Sequence, residues 1–150
     1  MTRIDFYHLK KQKLEDVLPK LLQKAYATGK RILLKTTADE AEKINALLWT
    51  YNDESFLPHG SKKDGFAEQQ PIWITDGDDN ANKADFLFLT CGVEYNDADL
   101  AKFERVFNIF DGNEETSLAQ ARMQWKKYKE AGFAIFYWQQ SENGVWEQKA

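Results

Sequence analysis

Residues 31–40, Arg31-Ile32-Leu33-Leu34-Lys35-Thr36-Thr37-Ala38-Asp39-Glu40, pass from a short apolar run almost directly into a helix start. Residues 31–35 read as a strand, because a run of branched apolar residues bounded by charge suits a buried, extended segment. Thr37 and Glu40 then have the spacing of a capping box. In that arrangement the hydroxyl and the carboxylate each accept a backbone N–H that the first helical turn leaves unpaired. A magnesium-binding acidic pair at Asp39-Glu40 competes with this reading, but four residues separate the pair from the apolar run, and the cap explains the spacing better.

The same strand-then-helix order stands upstream. Residues 3–9 alternate, with Ile4, Phe6 and His8 on one side and Asp5, Tyr7 and Leu9 on the other, as a strand requires. Leu14, Val17, Leu18, Leu21, Leu22, Ala25 and Tyr26 follow at helical spacing, and Gly29 stands where a left-handed cap belongs. Pro19 suits this helix if it starts near Glu15 or Asp16, which places the proline in the first turn.

Downstream, a loop containing His59 runs to Gly65, and residues 72–75 read as a strand. Asp76, Gly77, Asp78, Asp79 and Asn80 form a solvated turn, since the spacing of a calcium loop is missing. Residues 85–91 are continuously apolar up to Cys91, as in a central strand covered on both faces. Residues 97–103 allow two helical turns, and residues 105–110 form a strand stopped by Asp111-Gly112. A last helix spans residues 115–131 with Gly132 as its stop, and residues 133–138 return as a strand. Asn143-Gly144 then turns the chain into a closing strand at Trp146. The expected fold is a three-layer, Rossmann-like α/β domain over residues 1–150. It has a mainly parallel sheet, helices on both faces and an antiparallel C-terminal edge hairpin.

Composition narrows the function. Hydrophobic residues make up 43% and charged residues 29%, which suits a globular chain. No apolar run approaches the roughly 20 residues of a membrane span, and the first residues lack a signal-peptide core, so a cytoplasmic protein without membrane contact is expected. The formal charge of −4 argues against a broad nucleic-acid grip. The single cysteine, Cys91, reads as a buried structural thiol.

No catalytic, cofactor or metal site is expected. Neither phosphate-binding glycine motif is present, and Gly29-Lys30-Arg31 leads from helix into strand, the wrong direction for a phosphate cradle. The two histidines, His8 and His59, lie on separate segments, without zinc spacing or an activated nucleophile. His8 reads as a core or edge residue.

Two stretches remain unexplained by the core. On the second helix, Ala41, Ile44, Leu47, Leu48 and Tyr51 share a face, whereas Trp49 points away. With Phe56 and Pro58 it forms either a partner surface or a small core beneath the loop. On the last helix, Leu118, Ala121, Trp125, Tyr128 and Gly132 make one stripe, bordered by Arg122, Lys126 and Lys129. Arginine and lysine beside tryptophan suit an acidic ligand with an apolar group, and an ordinary amphipathic helix with solvated lysines gives the same pattern.

A family resemblance joins these pieces. Phe6-Tyr7-His8-Leu9, Gly29-Lys30-Arg31-Ile32-Leu33-Leu34, and Leu48-Trp49 with Glu54-Ser55-Phe56-Leu57-Pro58-His59 resemble the chi subunit family of bacterial DNA polymerase III. So do Ala121-Arg122, Trp125-Lys126, Tyr128-Lys129 and Ala131-Gly132-Phe133, and together the blocks span nearly the whole chain. The resemblance implies a non-catalytic accessory subunit with a nucleotide-fold sheet that lacks the nucleotide site. It would bridge the clamp loader, through the psi subunit, to single-stranded DNA-binding protein during replication, and would meet DNA only indirectly.

By the same resemblance, the acidic, Phe-terminated tail of the binding protein would sit on Arg122, Trp125 and Lys126, with Phe110 as a wall and Lys129 beside them. The psi subunit, or a helicase partner on the same surface, would meet Trp49, Phe56 and Pro58. Leu118 stands where relatives carry a lysine, and Trp125 where a tyrosine can stand. The competing expectation is a nucleotide-binding or small enzymatic α/β domain acting at the sheet's C-terminal edge.

Overall fold

A computed structural model describes residues 2–10, 12–50, 59–61, 64–78, 80–95, 97–141, 143 and 145–150. Among these, eight strands form one sheet: β1 (Arg3–Leu9), β2 (Ile32–Lys35), β3 (His59–Ser61), β4 (Ile72–Thr75), β5 (Phe86–Thr90), β6 (Arg105–Asp111), β7 (Ala134–Gln140) and β8 (Trp146–Gln148). Their order is β3-β4-β2-β5-β6-β1-β7-β8. Neighbours pair in parallel except β7 with β8, which closes the edge as an antiparallel hairpin. This is the mixed α/β sheet that the alternation of periods requires.

Helices α1 (Leu14–Tyr26) and α2 (Ala38–Thr50) cover one face, and α3 (Asp97–Leu100) and α4 (Glu115–Glu130) the other. Period-2 alternation divides each strand between two cores. Tyr7, Leu34, Phe88 and Phe107 meet Leu18, Leu22 and Ile44, while Ile4, Phe6, Leu33 and Val106 meet Ala121 and Tyr128. At the start of α2, the Glu40 N–H donates to Thr37 Oγ1 at 3.3 Å, the first half of the expected cap. Along the same helix Ala41, Ile44 and Leu48 are buried, while Trp49 is 51% exposed, as its place off the stripe requires.

Four expectations need correction. Helix α1 begins at Leu14, so Pro19 lies inside it and not in its first turn. The ring costs the helix one backbone hydrogen bond and is itself buried against the core. Asp16 fixes the earlier start, its carboxylate accepting the Lys13 N–H at 3.2 Å. His59 belongs to the edge strand β3, not to a loop, and is 3% exposed. Cys91 is exposed, not buried, because β5 ends at Thr90 and the chain leaves it through a left-handed turn at Cys91 and Gly92. Helix α3 is a single turn.

The least expected feature of the sheet is a buried charge. Asp5 is fully enclosed in β1. Its carboxylate accepts from Arg3 Nη2 at 3.0 Å, Arg105 Nε at 2.7 Å and Trp138 Nε1 at 2.9 Å. A buried carboxylate is tolerable only when its lone pairs are filled in this way. Because the donors stand on β1, β6 and β7, the cluster ties three adjacent strands together. Asp5→Ala should therefore cost about 3 kcal/mol or more in urea unfolding, since it leaves two guanidinium groups and an indole N–H without this acceptor. A loss below about 1 kcal/mol would show that the cluster contributes little.

Candidate protein-docking site on the last helix

Helix α4 is held by its inner face, where Ala121 and Tyr128 are buried and Gln124 Oε1 accepts from Asn108 Nδ2 at 2.7 Å. Trp125 sits on the border of that face. Its ring meets Phe6 edge-on at 5.4 Å and Tyr137 of β7 edge-on at 5.8 Å, leaving it partly exposed. Phe110 lies deeper, at 6% exposure, with its ring 5.0 Å from His8 and 6.3 Å from Tyr137. Phe110 is thus a floor beneath the site, and Tyr137 is the partly exposed ring beside Trp125.

The Tyr137 hydroxyl hydrogen-bonds His8 Nδ1. The hydroxyl donates while the imidazole is neutral with its proton on Nε2. Gly112 closes over the same imidazole, and a Cβ there would fall 1.8 Å from His8 Nε2, so no larger residue fits without moving the histidine. Burial chiefly, and Lys10 next, push the His8 pKa below its ordinary 6.5, against the Gly112 backbone and Asp111, with Arg122 lowering it further. Burial raises the Tyr137 pKa, and Arg122 opposes it. The Arg122 guanidinium therefore acts on both members of the pair.

Arg122, Lys126 and Lys129 are exposed and make no ion pair among the described residues. They lie along one border of α4, and of the three it is Arg122 whose charge acts on His8 and Tyr137. The arrangement offers a guanidinium for a carboxylate, two half-open rings for an apolar side chain, and lysines for further acidic groups. The sequence pattern points to Arg122 and Trp125 but not to Tyr137, whose signal is an aromatic on the strand that follows the helix and whose ring meets Trp125.

The other expected surface is partly described. Trp49 is 51% exposed with its ring 4.5 Å from that of His59, while Phe56 and Pro58 lie outside the described residues.

A third feature bears on the nucleotide reading. A cleft of about 700 Å³ opens at the C-terminal ends of β1, β5 and β6, the usual ligand position in such sheets. Glu15, Glu40, Asp111 and Glu114 line it, and Lys10 and Lys13 are its cations. Carboxylates in the first helical turns already satisfy the positive helix ends, so a phosphate gains little there. Among the described residues no cluster of histidine, cysteine, aspartate or glutamate could hold a metal, and no helix is long and apolar enough to cross a membrane.

Fold and surface together define a Rossmann-like α/β protein whose prominent feature is an aromatic, basic ridge and not a phosphate cradle. The family described as DNA polymerase III chi subunit, HolC, matches residues 1–136, and the chain belongs to that family. The family is an accessory subunit of DNA polymerase III and not its catalytic subunit. A probable DNA polymerase III subunit chi from Rickettsia prowazekii (strain Madrid E) is 36% identical over 90 residues, covering 59% of this chain and 54% of that protein. The chain thus spans about half the length of the relative it matches.

The His8 environment sets a pH dependence. With the folded pKa below 6.5, protonation is easier in the unfolded chain, so this contribution is full above pH 6.5 and is lost as pH falls through the folded value. Between about pH 7.5 and about pH 5.5, His8→Gln should lose less stability than wild type in denaturant melts. Equal losses would remove His8 from the account.

Proposed function

We propose that this protein is a replication accessory subunit that works in the cytoplasm by docking other proteins. Its last-helix site receives the acidic, Phe-terminated tail of single-stranded DNA-binding protein, and its Trp49 surface receives the psi subunit of the clamp loader or a helicase partner. The chain, residues 1–150, acts as one unit between the two and reaches DNA only through the binding protein. The observation that carries this reading is the exposed Arg122, free of any ion pair among the described residues, beside the Trp125–Tyr137 aromatic pair.

The tail's terminal ring packs against the exposed sides of the Trp125–Tyr137 pair, above the buried Phe110. Arg122 holds the terminal carboxylate, and Lys126 and Lys129 meet the acidic residues upstream. The arginine works against a partly desolvated aromatic wall, while the lysines work in water, so their contributions differ. In titrations of a tail peptide, Arg122→Ala should cost about 2 kcal/mol or more, and Lys126→Ala and Lys129→Ala each under about 1 kcal/mol. The lysine contributions should also fade with added salt. Undiminished binding by Arg122→Ala would disprove this assignment.

The psi-side reading rests on Trp49, a large ring left half in solvent at the end of α2. Burying such a ring in a partner yields more than its position on the monomer does. Trp49→Ala should abolish capture of a psi-type partner while moving the melting temperature by only a few degrees. Capture that persists, or a collapse of the fold, would assign Trp49 to the protein's own structure.

A further inference from the structure

The sheet face opposite α4 has an opening that tail docking leaves unused. A slot of about 260 Å³ lies between the end of α1 and the sheet, walled by Tyr7, Phe107, Trp138 and Trp146, with Lys24 and Arg105 also lining it. The rings of Tyr7 and Trp138 are nearly parallel, 11° apart at 6.3 Å, and Trp146 stands edge-on to Tyr7 at 5.1 Å. Trp138 and Trp146 are only partly buried, so the protein does not fill this aromatic enclosure itself.

The charge around the slot is positive. Arg3 and Arg105 share the single Asp5 carboxylate, which leaves one guanidinium charge uncompensated. Arg105 remains 31% exposed and lies 4.3 Å from the centre of the Phe107 ring. The Tyr7 phenol, pushed up to about 12 mainly by burial, stays neutral and supplies no counter-charge. Lys24, in the last turn of α1, is exposed and without an ion pair among the described residues. Two nearby carboxylates, Glu104 and Glu147, are already engaged by Lys30 at 3.1 Å and Lys149 at 4.0 Å. A chain of net charge −4 thus presents cations beside the partly exposed Trp138 and Trp146 as well.

We propose that the slot is a third docking site, taking an aromatic side chain from an acidic peptide segment of a partner protein. The ring packs on the solvent-facing sides of the partly exposed Trp138 and Trp146, where edge and face contacts are both available. Carboxylates beside it meet Lys24 and the exposed part of Arg105, whereas a basic segment would be repelled. A slot of about 260 Å³ suits one side chain whose backbone stays at the mouth. It shares no residue with the last-helix site and does not depend on the tail reading.

The test uses a pentapeptide with one phenylalanine between pairs of aspartates, acetylated and amidated so that it carries no terminal carboxylate for Arg122. It is titrated into the full chain while the indole N–H resonances are followed by NMR. The peptide should shift the Trp138 and Trp146 signals saturably, and a version with alanine for phenylalanine should not. Lys24→Glu should weaken binding about fivefold or more, as reversal of a rim charge does, and Arg122→Ala should leave it unchanged. The proposal is overturned if those two signals stay still, if a lysine-flanked version binds equally well, or if Arg122→Ala abolishes the effect.

Discussion

Parallel pairing of β1 with β6 on one side and β7 on the other holds residues 3–9 in a register on which both faces of the molecule depend. Side chains alternate along a strand, so Ile4, Phe6 and His8 turn toward α4 while Asp5, Tyr7 and Leu9 turn toward α1. A slip of one residue would exchange these sets and put a carboxylate where Phe6 now packs. The Asp5 cluster guards against that slip, because its arginine and indole donors come from all three strands. The same register brings His8 beside Tyr137 and so fixes the hydroxyl of a ring in the proposed docking site.

Charge placement then separates the surfaces by what they can receive. At the C-terminal edge, acidic residues stand at helix starts where another protein of this architecture would leave bare N–H groups for phosphate. Along α4 the balance reverses, with exposed cations beside half-open aromatic rings. In the proposed docking, dispersion and burial against Trp125 and Tyr137 would supply most of the attraction for an apolar side chain, and Arg122 would supply orientation. The exposed lysines would raise encounter rates more than they hold such a complex.

Much of this was legible in the sequence because the decisive signals are local. Continuous apolar character marked β5 as a covered strand, and helical spacing placed Arg122 beside Trp125 and Trp49 away from the core. What escaped reading depends on contacts distant along the chain or on backbone geometry. Strand β3 has three residues, His59, Gly60 and Ser61, with no apolar period, and exists by pairing with β4. Cys91 follows an apolar run yet turns outward, because the chain adopts a left-handed conformation there. Tyr137 is 129 positions from His8, and no spacing rule connects them. Asp5 shares its side of β1 with Tyr7 and Leu9, and only the sheet order reveals the donors that permit its burial.

The central claim is that α4 recognises an acidic segment ending in a free carboxylate beside an aromatic ring. Calorimetric titration of a Phe-terminated acidic peptide and of its C-terminal amide into the wild-type chain tests it most directly, since the two ligands differ only at the group that Arg122 is said to hold. The account predicts that amidation weakens binding at least about tenfold, equivalent to about 1.4 kcal/mol. Equal affinities for the acid and the amide would contradict it.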